Sequence, residues 1–232
     1  MNNLSGIEEL QDKLGYRFKD SKYLLTALSH SSYVNEKKID KNDDYERLEF
    51  LGDAVLELAV SRFLFNNKPD MREGDMTKLR ASLVCEPTLA YCAKEELDLG
   101  KYILLGKGEE VTGGRGRDSI ISDVFEAVIG AVYLDSGFDE ASRLIEKYIL
   151  DDMENKIEFV DSKTILQEYA QEYGLELKYN MVEEIGPAHD KIYRMRCTLG
   201  DIYVAESEGK TKKSGEQHAA YAILRQIRMK SE

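Results

Sequence analysis

The sequence predicts a mostly α-helical protein in which an all-helical front domain is followed by a small α+β domain. Apolar residues recur at helical spacing through residues 1–150, and no strand-like alternation occurs before residue 160. Residues 151–161 hold five acidic groups and one basic group, a composition typical of a linker. Residues 162–232 then show three alternating segments between two helical patterns, in the order α-β-β-β-α. The sequence therefore predicts two domains, 1–150 and 162–232, joined by an acidic linker.

The front domain shows helical patterns over six segments: about 20–28, 44–60, 76–85, 87–97, 119–134 and 139–150. Polar residues at the segment starts predict N-caps: Asp20 for the first, Asp43 or Asp44 for the second, and Asp118 or Ser119 for the fifth. Residues 35–44 are predicted to form a polar loop, and residues 113–119 a glycine-rich loop.

The rear domain is predicted to begin with a helix over 163–173 that ends at Gly174, a favourable residue just beyond a helix. Strands are predicted over 175–185, 191–199 and 202–208, with a tight hairpin turn at Gly200-Asp201. A final helix is predicted from about residue 212 to residue 229.

Composition excludes several classes of protein. The 232 residues are enough to bury a sizeable core in one or two domains. No apolar run is long enough to cross a bilayer, and the first residues lack a signal-peptide pattern. Cys85, Cys92 and Cys197 show no CxxC spacing and cannot all pair. These features predict a protein of the reducing cytoplasm with no membrane association.

The net charge of −12 argues at first against nucleic acid as a partner. The negative excess, however, belongs to the front domain and the linker. Residues 162–232 hold 11 acidic and 11 basic groups, and their basic groups are clustered. The overall charge therefore does not exclude a nucleic-acid partner for the rear domain.

An acidic stripe lies on the predicted helix 44–60. At 100° per residue, Glu46, Glu49 and Asp53 fall within an arc of about 60°. Most of the remaining circumference is apolar, which predicts a buried helix whose acidic stripe lines a cleft. Crowded carboxylates repel one another, and desolvation raises that cost. Divalent cations would relieve both, and oxygen-only ligands suit Mg²⁺ or Mn²⁺. The alternative is a solvated acidic face.

A second acidic pair, Asp123 and Glu126, lies on the apolar pattern 119–134. Gly52 and Gly130 lie inside their predicted helices, where each costs about 1 kcal/mol relative to alanine. Close helix–helix approach would compensate for that cost and bring the two acidic stripes together. Glu73 could add a further oxygen donor. No histidine accompanies these residues, which disfavours zinc hydrolase and Ser-His-Asp schemes and favours metal-assisted phosphoryl chemistry.

These acidic runs also resemble a known family. The run Glu46–Leu56 is similar to the signature of ribonuclease III, Asp123–Ala131 is similar to the second acidic motif of that family, and Glu73–Met76 fits the element between them. The resemblance implies an Mg²⁺-dependent endoribonuclease that cuts double-stranded RNA, with Mn²⁺ as a substitute metal. It also implies processing of rRNA precursors and other structured transcripts, with no organic cofactor.

The resemblance assigns roles residue by residue. It implies that Glu49, Asp53, Asp123 and Glu126 hold the metals, that Asp53 and Glu126 are catalytic, and that Glu46 and Glu73 assist with metal or RNA. One departure is Tyr45, where many bacterial members have asparagine. We expect this departure to affect substrate contacts and to leave the metal ligands unchanged.

The same resemblance implies a homodimer with an RNA groove across both protomers. Cleavage at two offset phosphates would leave a short 3′ overhang with 5′-phosphate and 3′-hydroxyl ends. Phe50 matches the aromatic residue that meets the partner at the dimer centre. The sequence leaves a second interpretation open, in which Phe50 is an ordinary core residue.

The rear domain resembles a double-stranded RNA-binding domain in its opening SKTILQEYAQ and its closing GKTKKSGEQHAA. The start of the last helix carries three lysines, Lys210, Lys212 and Lys213. Cations at this end of a helix oppose the helix dipole, but together with the exposed N–H groups they can form a phosphate-binding site. A solvated lysine run is the alternative. The resemblance assigns minor-groove contacts, which read RNA shape, to six further residues: Thr164, Gln167, Glu168, Pro187, Ala188 and His189.

Two other functions remain open at this point. One is an RNA-binding protein with an inactive nuclease domain, which the intact carboxylate set disfavours because idle buried acids destabilise the fold. The other is an all-helical nucleotide pyrophosphohydrolase, which also presents acidic pairs around Mg²⁺. The RNA-binding pattern of the rear domain disfavours that second function.

Overall fold

The computed structural model describes residues 3–186, 191–209 and 211–231, and the chain divides into two compact units, Met1–Met153 and Glu154–Glu232. The helices of the front unit are α1 Asn3–Leu14, α2 Ser21–Ala27, α3 Ser31–Lys37, α4 Glu46–Asn67, α5 Glu73–Val84, α6 Glu86–Glu95, α7 Lys107–Val111, α8 Asp118–Ser136 and α9 Phe138–Ile145. Short 3-10 turns cover Lys41–Asp43, Leu99–Tyr102 and Gly114–Gly116, and a π-helical turn covers Glu146–Leu150.

Helix α8 is the centre of the front unit. Its apolar residues are almost completely buried, among them Val124, Phe125 and Val128, each 0% exposed. Helices α2, α4, α6 and α9 all pack against it. The predicted burial of this helix is confirmed.

Helix α4 is buried on one side only. Val55, Leu56 and Val60 lie in the core, whereas Phe50 is 82% exposed and Leu58 is 58% exposed. The prediction that α4 is a buried helix is therefore wrong for one of its two apolar faces. The physical reason is that α4 packs against α8 through one face and leaves its second apolar face on the surface of the unit.

The predicted helix caps are confirmed in part. The Asp20 carboxylate accepts a hydrogen bond from the Lys22 N–H, and the Asp44 carboxylate accepts one from the Glu46 N–H at 3.2 Å. The predicted cap at Asp118 or Ser119 is wrong, because α8 begins at Asp118 without a side-chain cap and the Asp118 carboxylate pairs with Lys94.

Two predicted non-helical segments contain helices. The predicted loop 35–44 includes the end of α3 at Lys37, which is followed by Lys38 in the left-handed conformation (φ 55°). The predicted linker 151–161 contains α10, Met153–Val160. Met153 and Phe159 of this helix are both buried, although the acidic composition of the segment is typical of a linker.

The rear unit has the predicted α-β-β-β-α order. Helix α11, Ser162–Glu172, is followed by Gly174 at φ +62°, then by strands β1 Leu177–Ile185, β2 Ile192–Leu199 and β3 Tyr203–Gly209, and by α12, Lys212–Ser231. The sheet is antiparallel in the order β1-β2-β3, with an irregularity between Met181 and Glu183. The core between helices and sheet includes Leu166, Cys197, Leu199, Ala219 and Ile223. In the described part of the chain, every helix is too short or too polar to cross a lipid bilayer.

Candidate active site and nucleic-acid interface

Two glycines bring α4 and α8 into backbone contact. A Cβ atom added at Gly52 would lie 1.9 Å from the carbonyl oxygen of Glu126, and one added at Gly130 would lie 2.3 Å from the carbonyl oxygen of Leu48. No larger side chain fits at either position without moving a helix. The close approach predicted from these two glycines is therefore confirmed, and it carries the acidic stripes of both helices to one place.

Three carboxylates from the two helices converge. Glu49, Asp123 and Glu126 each offer one oxygen, and these oxygens lie within 4.8 Å of one another. All three side chains are half-buried. Three anionic oxygens at this spacing, with no nitrogen or sulfur donor among them, match the ligands that Mg²⁺ and Mn²⁺ prefer.

The electrostatics of the group reflect crowding and burial. Burial raises the pKa of Glu126 to about 8, aided by the negative charges of Asp53, Glu49 and Asp123. Burial, with Asp123 as the strongest of the neighbouring charges, raises the pKa of Glu49 to about 6. The pKa of Asp123 is also raised, mainly by burial. The group therefore resists full ionisation unless positive charge is supplied.

The other three acidic residues of the predicted site occupy different positions. Asp53 is exposed and lies outside the group of three. Its negative charge nevertheless helps to raise the pKa values of Glu49 and Glu126. Its own pKa is raised by burial and by the charge of Glu57. Glu46 is exposed in the first turn of α4, and its negative charge helps to raise the pKa of Glu49. Glu73, at the start of α5, is exposed, accepts a hydrogen bond from Thr77 and is not part of the group.

One contact was not found by sequence reasoning. The buried hydroxyl of Tyr45 donates to Asp123 Oδ2 at 3.4 Å. The two residues are 78 positions apart, so no local spacing links them. Tyr45 therefore touches a candidate metal ligand, whereas the sequence linked this departure only to substrate contacts.

The candidate RNA interface lies at the first turns of α11 and α12. Lys163 pairs with Glu216 at 2.5 Å, and the Ser162 hydroxyl donates to the Gln217 carbonyl, so the two helix starts lie side by side. Lys212 and Lys213 are the first two residues of α12 and are exposed.

Helix α11 presents one polar face. Thr164, Gln167 and Glu168 lie on it, and all three are exposed. The remaining predicted contacts lie outside the described residues: Pro187, Ala188, His189 and Lys210.

Two arginines on the sheet of the rear unit pair with acidic neighbours. On the sheet, Arg194 pairs with Glu183 and Glu208, and Arg196 pairs with Glu206. Over the residues that the structure describes, no ion pair involves Lys212 or Lys213. The start of α12 therefore offers positive charge to an external anion.

Comparison with protein families covers both units. A Ribonuclease-III-like family model matches residues 20–153, and a double-stranded RNA binding motif matches residues 162–227. The chain belongs to the ribonuclease III family. It is an endonuclease of that family with a double-stranded RNA-binding domain, and the resemblance drawn from its sequence motifs is confirmed.

Relatives match nearly the full chain. Ribonuclease 3 of Geobacillus kaustophilus is 48% identical over 224 residues, which cover 95% of this chain and 91% of that protein. Ribonuclease 3 of Listeria welshimeri is 47% identical over 223 residues, covering 95% and 97%. The identity therefore extends over both domains of the ribonuclease III architecture.

Solved structures match the front part of the chain. A 2.2 Å crystal structure of the nuclease domain of ribonuclease III from Campylobacter jejuni has a TM-score of 0.58 and 42% identity, covering 66% of this chain and 97% of that one. A second structure of the same domain has a TM-score of 0.56 and 46% identity, covering 62% and 99%. That second structure concerns flexibility in the region involved in dimer formation of the Campylobacter domain.

Proposed function

We propose that this ribonuclease III hydrolyses phosphodiester bonds of double-stranded RNA with Mg²⁺, and that Mn²⁺ can replace it. The products are proposed to carry 5′-phosphate and 3′-hydroxyl ends with a short 3′ overhang. The observation that supports the metal dependence is the all-oxygen group of Glu49, Asp123 and Glu126. Residues 1–150 are proposed as the catalytic domain and 162–232 as the RNA-binding domain.

The donor set fits a divalent cation. Glu49, Asp53, Asp123 and Glu126 would hold it, with Asp53 and Glu126 as the catalytic residues and with Glu46 and Glu73 assisting with metal or RNA. A bound divalent metal would lower the pKa of a water molecule, orient it and stabilise the leaving oxygen. Because burial and neighbouring charges raise the pKa of Glu126 to about 8, this carboxyl keeps a proton near neutral pH when no cation balances it.

The rear domain is proposed to bind duplex RNA through Lys210, Lys212 and Lys213 at the start of α12. The polar face of α11 (Thr164, Gln167 and Glu168) and the segment with Pro187, Ala188 and His189 would lie in the minor groove and read the A-form shape rather than the sequence. Precursors of rRNA and other structured transcripts in the cytoplasm are the proposed substrates. No organic cofactor is needed for this reaction.

A homodimer is proposed from the exposed apolar face of α4. A groove of about 330 Å³ lies between α4, α8 and α9, lined by Leu51, Ala54, Val55, Leu58, Tyr133 and Phe138. Phe50 lies on the same helix and is 82% exposed. In a two-fold dimer, Phe50 of each protomer would enter the groove of the other, which would remove both apolar surfaces from water.

The experiment that tests the activity offers the protein duplex RNA, single-stranded RNA and nucleoside triphosphates, each with Mg²⁺ and with chelator. We expect cutting of the duplex alone, and only with metal. Hydrolysis of the triphosphates would instead indicate a nucleotide pyrophosphohydrolase. Duplex binding without cutting would indicate an inactive nuclease domain.

The dimer is tested by the Phe50→Asp variant in analytical ultracentrifugation. We expect wild type to sediment as a dimer and the variant as a monomer, because a buried charge would oppose the apolar contact. The matched control is Val111→Asp, since Val111 is 87% exposed on α7 and does not line the groove. A monomeric wild type, or a dimeric Phe50→Asp variant, would contradict this assembly.

A further inference from the structure

Tyr45 is held rigidly at the start of α4. Its backbone N–H donates to the carbonyl oxygen of Ser29 at 2.9 Å, and its own carbonyl accepts from the N–H groups of Leu48 and Glu49 at 2.9 Å. The residue is only 6% exposed. Tyr45 therefore connects the segment between α2 and α3 to the turn of α4 that carries Glu49, one of the three converging carboxylates.

The side chain of Tyr45 extends from this fixed backbone to the other helix. Its ring packs against the ring of His30, with centroids 5.7 Å apart. Its hydroxyl reaches Asp123 on α8 at 3.4 Å. A phenol hydroxyl is protonated at neutral pH, so it acts as the donor to the carboxylate.

Asp123 needs such a partner in order to act as a ligand. A carboxylate side chain can rotate about two bonds, and a second hydrogen bond restricts that rotation. The Tyr45 hydroxyl supplies such a hydrogen bond, whereas the neighbouring Ser122 hydroxyl donates to the carbonyl oxygen of Ser119. Because Tyr45 precedes α4 and Asp123 lies on α8, this bond fixes Asp123 relative to the ligands of α4.

We propose that Tyr45 is a positioning residue for the metal centre: its hydroxyl holds the Asp123 carboxylate in the orientation that binds the divalent cation. This inference rests on the proposed metal-dependent function. It adds to that function a residue outside the four candidate ligands, which acts through Asp123 and need not touch the RNA.

The test measures Mn²⁺ binding to the full chain by isothermal titration calorimetry without RNA. In Tyr45→Phe, the ring and its contact with His30 remain and only the hydroxyl is lost. We expect the Kd for Mn²⁺ to rise about tenfold, the size typical when an outer hydrogen-bond partner of a metal ligand is removed. In cleavage assays, the Mg²⁺ concentration for half-maximal rate should rise by a similar factor, and excess Mg²⁺ should restore kcat.

Tyr102→Phe is the matched control. Tyr102 is also a buried tyrosine of the front unit, and its hydroxyl donates to the Glu9 carboxylate at 2.8 Å, outside the group of three converging carboxylates. We expect this variant to bind Mn²⁺ as wild type does. A loss of affinity in both variants would indicate a general effect of removing a buried hydroxyl and would overturn the inference.

The outcomes separate the inference from the proposed function. If wild type binds no metal, or if Glu126→Gln binds Mn²⁺ as tightly as wild type, the metal centre itself is wrong. If wild type binds and Glu126→Gln does not, but Tyr45→Phe keeps the wild-type Kd, only the role of Tyr45 is overturned. A lower melting temperature of Tyr45→Phe with an unchanged Kd would likewise show a merely structural role.

Discussion

The carboxylate group of the front unit and the lysines of the rear unit both gather like charges, but they do so in different surroundings. Glu49, Asp123 and Glu126 are half-buried on two helices in backbone contact, so their repulsion is little screened and raises their pKa values. Lys212 and Lys213 lie exposed at the first turn of α12, where water and salt screen them.

This difference indicates what each group can recognise. The buried carboxylates need a small, highly charged ligand and depend on the packing of two helices. The exposed lysines can contact successive phosphates of a nucleic-acid backbone, and their position depends little on the packing of the core. Changes at the first group should therefore affect catalysis and stability, whereas changes at the second should affect only the affinity for RNA and its salt dependence.

The largest effect is expected for Glu126→Gln, which removes the most perturbed carboxylate. We expect the cleavage rate to fall about a hundredfold or more, since metal catalysis supplies several kcal/mol and each 1.36 kcal/mol is tenfold in rate. Duplex binding, measured by filter retention, should remain. The control is Glu57→Gln, one turn beyond Asp53 on α4 and outside the group of three. Normal cutting by Glu126→Gln would remove this residue from the catalytic set.

The next largest effect is expected for Gly52→Ala, which places a methyl group 1.9 Å from the Glu126 carbonyl oxygen. The helices must separate, which should lower the free energy of unfolding by about 1–3 kcal/mol in urea denaturation. Cleavage should fall as well, because the two acidic stripes move apart. Gly108→Ala is the control, since a Cβ there meets no atom within 4 Å. Equal stability of the two variants would argue against backbone contact at the crossing.

A smaller effect is expected when Lys212 and Lys213 are both changed to alanine. Affinity for duplex RNA should fall about tenfold, and the slope of log K against log salt should decrease by about 2, because each lysine contact with a phosphate contributes about one unit. The thermal melting temperature should stay unchanged. Lys178→Ala, at an exposed lysine of β1 that pairs with Glu176, is the control. An unaltered salt slope would place the pair outside the interface.

A separate effect, on stability rather than on RNA, is the pH dependence of the metal-free fold. Glu126 has a raised pKa of about 8 in the folded protein, against 4.5 for the ordinary carboxyl group. The folded state therefore binds more protons than the unfolded state between these values, so this carboxyl makes stability fall as pH rises from about 4.5 to 8. Compared with wild type, Glu126→Gln should show a shallower decline and a higher melting temperature at pH 8. Parallel curves for the two proteins would contradict the raised pKa.

Addition of Mg²⁺ also distinguishes the half-buried carboxylates of the front unit from the exposed lysines of the rear unit. At pH 8, the metal should raise the melting temperature of wild type, because it binds the folded state and balances the crowded carboxylates. It should leave Glu126→Gln nearly unchanged. Lys212 and Lys213 should not contribute to the change in melting temperature of either protein, because cationic side chains do not bind Mg²⁺.

The sequence alone determined the features that arise from short-range regularities. Helical spacing predicted the buried helix α8, and alternation predicted the three strands of the rear unit. Asp20 at the start of a helical pattern predicted a cap, which is a hydrogen bond to an N–H only two residues away. Gly52 and Gly130 predicted a close helix crossing because glycine is otherwise unfavourable in a helix. Except for the partner of that crossing, these features depend on neighbours within one or two turns of the chain.

The tertiary structure alone decided the features that depend on distances between elements. It showed that α4 leaves Phe50 and Leu58 exposed, that Glu73 lies outside the carboxylate group, and that Asp118 pairs with Lys94 instead of capping α8. It also brought Tyr45 to Asp123 across 78 residues. Periodicity fixes which residues share a face of a helix, but only the packing of one helix on another fixes which faces meet and which side chains come within hydrogen-bonding distance.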